Sequence, residues 1–132
     1  MELPEKLKVG YKIISVESKR KGLLKEYRKS TSDSGFVYGL YDKQTHRIWV
    51  NTEDIAPREV LNSLLHESMH ACLKQDNTRM YILNDNNLPQ DQKEEFLVDY
   101  LAGTLCQLLV DNPSLIEYIK EVASYDRTNK TT

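Results

Sequence analysis

Residues 57–75, PREVLNSLLHESMHACLKQ, carry the pattern on which the rest of the chain depends. Apolar side chains at Val60, Leu61, Leu64, Leu65, Met69, Cys72 and Leu73 recur every three or four positions, the period of a helix with one buried stripe. Inside that stretch His66, Glu67 and His70 spell H-E-x-x-H. On a helix, positions four apart project from one face with their Cβ atoms about 6 Å apart. Two imidazoles so placed can reach one metal ion, with the carboxylate of Glu67 beside it. Both histidines fall on the flank of the apolar stripe, where a metal would be half sheltered by the core.

The chemistry that such a set supports is metal-assisted hydrolysis. Zinc brings the pKa of a bound water down towards about 7, and Glu67, as general base, can take the proton as the water attacks a carbonyl. The plain alternative is a helix with two core-edge histidines and a solvated acid between them. The remaining histidine, His46, opens a strand beside a turn with nothing near it to complete a metal site, and reads as a surface residue.

Length and composition bound the rest. A chain of 132 residues fits one domain, with residues 1–123 forming it and 124–132 a flexible tail. A net charge of −2 with 29% charged residues gives no global field favouring nucleic acid or membrane. No apolar run approaches the ~18 residues of a membrane span. The opening MELPEKLKVG lacks the apolar core of a signal peptide, so a cytoplasmic protein is expected. Cys72 and Cys106 both sit in helical apolar patterns and read as buried, reduced thiols. No C-x-x-C pair exists, which excludes a zinc ribbon.

In chain order, residues 7–17 alternate around Val9, Tyr11 and Ile13 and predict a first strand. Between Ser18 and Ser30 lies the basic cluster Lys19, Arg20, Lys21, Lys25, Arg28 and Lys29. It reads as a solvated face or as a patch for an acidic partner or nucleic acid. Phe36–Tyr41 and His46–Asn51 predict two strands joined by a four-residue hairpin loop, with Ile48 and Val50 sharing a face. Residues 76–88 form a polar loop around the apolar piece Met80–Leu83, a candidate wall for a substrate cleft. A second long helix follows Pro89 and stops near Asp111-Asn112; a third covers Pro113–Ala123. The expected fold is α+β, a small and mainly antiparallel sheet of three or four strands packed on three helices. Its two long helices face one another across the metal.

A catalytic zinc site needs a third protein ligand. No histidine follows His70, so the ligand must be a carboxylate or a cysteine. Asp76 lies six residues beyond His70, but Leu73 stands where a sharp turn would want glycine. Glu94 and Glu95 open the second long helix, and Glu95 has Asp99 one turn later on the same face, placed to accept a ring N–H from a metal-bound histidine. The residues alone leave the three candidates open.

HESMH on one helix and EEFLVD on the next resemble the gluzincin arrangement of thermolysin-like enzymes. The chain from Phe36 to Leu115 looks more like the minimal members, the ImmA/IrrE-type metallopeptidases and related small proteins of phages and mobile elements. That resemblance implies a zincin-like fold, with Zn2+ held by His66, His70 and Glu95, Glu67 as general base and Asp99 orienting a histidine. Thermolysin-like enzymes add a downstream histidine that stabilises the oxyanion. This chain has none, and Tyr81 or Arg79 of the intervening loop could serve instead. The implied activity is hydrolysis of a peptide bond in a specific protein substrate in the same cytoplasm, that of a bacterial host if the chain is phage-encoded. An extended peptide would lie along the edge of the small sheet. The competing expectation is a non-catalytic zinc-containing protein that engages a protein or nucleic acid through the Lys19–Lys29 cluster.

Overall fold

A computed structural model describes residues 1–18, 39–75 and 84–129. Four strands, β1 (Lys6–Val9), β2 (Lys12–Ser18), β3 (Gly39–Asp42) and β4 (Arg47–Val50), form one sheet in the order β1-β2-β4-β3. The two outer pairs are antiparallel and the central β2–β4 pair is parallel. Three helices follow, α1 (Pro57–Gln75), α2 (Gln90–Asp111) and α3 (Pro113–Thr128). The fold is therefore α+β with a mostly antiparallel sheet, as expected. Among the described residues no helix is long and apolar enough to cross a membrane.

The first strand corrects the sequence reading. Residues 7–17 are not one strand but most of a hairpin whose two-residue turn is Gly10-Tyr11, since Val9 pairs with Lys12. Gly10 has φ 61°, which only a residue without a Cβ adopts freely at the first position of such a turn. The turn breaks the period-2 alternation. Val9 stays in the core, Tyr11 projects from the tip, Ile13 faces outward and Ile14 becomes the buried residue. The second hairpin keeps a four-residue loop, one position later than expected at residues 43–46, and residues 36–38 of its expected first strand lie outside the described residues. Asp42 accepts the Gln44 N–H at 3.0 Å inside its turn, and His46, exposed with φ 53°, closes it.

One face of the sheet supplies Leu7, Val9, Ile14, Ile48 and Val50 to a core shared with Val60, Leu64 and Ala71 of α1, Leu108 of α2, and Leu115, Tyr118 and Val122 of α3. Helix α1 lies across β3, β4 and β1 and against α3, while α2 packs on β1 and α3. The two long helices do not face one another across the candidate metal residues: the space between them is lined by none of His66, Glu67 and His70. A cavity of about 470 Å³ lies between Cys72 of α1, Asp99 and Tyr100 of α2, and the β1–β2 turn. Helix α3 continues past Ala123 to Thr128, so residues 124–128 are helix and not frayed tail. Two side-chain contacts lie on this extension. The Thr128 hydroxyl donates to the Ser124 carbonyl at 2.6 Å, and Asp126 pairs with Arg58 at 3.4 Å.

The corner between α2 and α3 is tied to the sheet by Asn112. It is buried, accepts the Lys8 N–H at 2.6 Å, and donates to the carbonyls of Lys8 at 2.9 Å and Leu108 at 2.7 Å. Strand β1 is an edge, and an edge left with unpaired backbone groups is a template for further strands. Asn112 occupies that template at Lys8.

Candidate metal centre

Helix α1 turns Val60, Leu64, Ser68 and Ala71 inward, and Glu67 stands at the border of that face. His66 and His70 come next around the helix and are exposed. Ser68 is fully buried among apolar residues, which its hydroxyl tolerates by donating to the Leu64 carbonyl one turn back at 2.7 Å. The sequence placed both histidines on the flank of the buried stripe, and they are there.

The two imidazoles meet. Their Nε2 atoms are 3.2 Å apart, and the rings cross at 73° with centroids 4.8 Å apart. Nitrogens at this separation could both ligate one zinc ion, whose bonds to imidazole are about 2.0–2.1 Å. The same separation is within hydrogen-bond distance, with donor and acceptor set by the ring tautomers. A Glu67 carboxylate oxygen lies 4.0 Å from Nε2 of His66. Ligating atoms of His66, Glu67 and His70 all fall within 4.8 Å of one another. The two imidazoles suit zinc as ligands, and Glu67 stands beside them.

Glu67 is 8% exposed. Burial pushes its carboxyl above the ordinary carboxylate range, against the opposing pull of His70, His66 and a hydrogen bond from the backbone N–H of Tyr41 on β3. The acid therefore sits at the outer strand of the sheet, while the opposite outer strand is closed by Asn112.

The other expected residues distribute differently. Glu94, Glu95 and Asp99 are exposed on α2 and stand outside the group formed by His66, Glu67 and His70. Asp99 lines the cavity beside Cys72 and makes no ion pair with either imidazole. Asp76, Arg79 and Tyr81 lie outside the described residues, as does the Lys19–Lys29 cluster. Of the two cysteines expected to be buried, Cys72 is half-buried and Cys106 is exposed, since α2 turns that face outward. Both are free thiols. Sequence reasoning missed Gly39 and Tyr41, whose role depends on backbone geometry that no side-chain pattern announces.

Compared with family models, curated proteins and solved structures, the chain finds no match in any of the three. The likeness to gluzincins rests on the residues themselves.

Proposed function

We propose that this chain is a zinc-dependent peptide hydrolase. One observation carries the proposal: two imidazole nitrogens 3.2 Å apart, with a half-sequestered carboxylate oxygen 4.0 Å from one of them. Zinc held by His66 and His70 would supply Lewis acidity, polarising a carbonyl and acidifying water. Glu67 takes the proton from the attacking water and passes it to the departing amine. Its raised pKa supports that role, because a general base works best with a pKa close to the working pH. A third protein ligand is required, and Glu95 is the residue proposed, with Asp99 one turn behind it. Tyr81 is the proposed donor to the oxyanion.

The sheet supports a peptide as substrate. Of the two outer strands among the described residues, β1 is occupied at Lys8 by Asn112 and β3 runs beneath Glu67. An extended segment lying along β3 would run beside the general base. By resemblance to the ImmA/IrrE-type proteins, the substrate is one particular protein of the same cell.

The test is a search for new N-termini by mass spectrometry after a bacterial lysate is incubated with zinc-loaded protein or with Glu67→Gln. A small set of new termini with the wild type alone supports the proposal. Identical termini for both, with zinc bound in both, would contradict it.

A further inference from the structure

Strand β3 passes beside Glu67, and at Gly39 it presents no side chain to it. A Cβ built on Gly39 would stand 3.1 Å from Glu67 Cγ, 3.3 Å from the Trp49 carbonyl oxygen and 3.6 Å from Glu67 Oε1. Carbon atoms pack at about 3.5–4.0 Å, so the first of these distances is tight and one partner must give by a few tenths of an ångström. The Trp49 oxygen belongs to the β4 backbone, opposite Leu40, and cannot retreat without opening the ladder. The Glu67 side chain is what must move.

We propose that Gly39 is a positioning residue for Glu67: its missing side chain is the seat in which the carboxylate rests against β3. The proposal builds on the reading of Glu67 as general base, and it assigns the placement of that base to a residue outside the H-E-x-x-H motif. A glutamate side chain free to rotate samples many rotamers, and holding it costs about 1.5–2 kcal/mol of entropy. A general base must also stand within hydrogen-bond reach of the proton it abstracts. The seat on Gly39 and the Tyr41 N–H hold the carboxylate from one strand.

Position 39 can be filled without harming the strand itself, because valine favours extended backbone. Gly39→Ala obliges the glutamate to shift by a few tenths of an ångström, and Gly39→Val, with two more carbons, is expected to displace it further. Amide hydrogen exchange, read residue by residue by NMR on chelator-treated protein, reports the result. Backbone groups of an antiparallel pair alternate in direction. With the Tyr41 N–H turned to Glu67, those of Leu40 and Asp42 turn to β4 and serve as internal controls.

The Tyr41 amide is expected to be protected in the wild type and to exchange at least tenfold faster in Glu67→Ala. Gly39→Val should reproduce that loss and Gly39→Ala part of it, with Leu40 and Asp42 unchanged in every variant. A protected Tyr41 amide in Gly39→Val overturns the proposal. So does loss of protection at Leu40 and Asp42 along with Tyr41, which would make Gly39 a requirement of the strand and not of the carboxylate. None of these readouts involves zinc or cleavage, so the seat and the hydrolase proposal fail independently.

Discussion

Asn112 pairs with Lys8 as one strand residue pairs with another, accepting its N–H at 2.6 Å and donating to its carbonyl at 2.9 Å. A single side chain thus closes β1 while holding the α2–α3 corner against the sheet. Asn112→Ala leaves a part-buried N–H and carbonyl without partners, which should cost about 2–3 kcal/mol. Urea unfolding should show a lower midpoint at an unchanged slope. An unaltered midpoint would mean that water replaces the side chain at no cost.

Tyr41 offers the opposite case. Its hydroxyl is buried with no partner among the described residues, and burial, with the nearby Asp42, raises its pKa. Tyr41→Phe removes an unsatisfied polar group, so stability at pH 7 should hold or rise by up to about 1 kcal/mol. The sign at high pH follows from linkage. A phenol whose folded pKa is raised stays protonated in the native state while the unfolded chain ionises. Wild-type stability then falls as pH climbs above about 10, and that loss should shrink in Tyr41→Phe. Chemical unfolding at pH 7 and pH 10.5 reads both effects.

The two cysteines should differ sharply in reactivity. Cys106 is exposed, whereas Cys72 is half-buried and burial raises its pKa. Only the thiolate attacks disulfide reagents, so Cys72 suffers both in access and in thiolate fraction. Labelling with an aromatic disulfide at pH 8 should show one fast thiol and a second at least tenfold slower. Cys106→Ser should remove the fast phase, and equal rates in the wild type would contradict the packing of α1.

Much of this molecule is legible in its sequence, and the gaps have physical causes. Helix α1 is readable because a 3.6-residue period over nineteen positions is hard to produce otherwise. The bounds of α2 follow from Pro89 and from Asn112-Pro113. The β1–β2 hairpin was hidden because Gly10 and Tyr11 interrupt an alternation too short to betray a turn. Asn112 reads as a helix stop, and its grip on Lys8, 104 residues away, is invisible to any local pattern. His66, Glu67 and His70 declare themselves by spacing, but the Gly39 seat exists only once β3 is laid under α1. The carboxylates of α2 show the limit most clearly. A shared helical face says that Glu95 and Asp99 point together, not what they point at.

Zinc per chain by elemental analysis, on untagged protein never exposed to chelator, tests the central claim most directly. The wild type and Glu67→Gln should each hold close to one zinc, His66→Ala and His70→Ala should hold none, and of Glu94→Ala, Glu95→Ala and Asp76→Ala only Glu95→Ala should lose it. A wild type that holds no zinc even after the metal is added back would contradict the proposed function at its root.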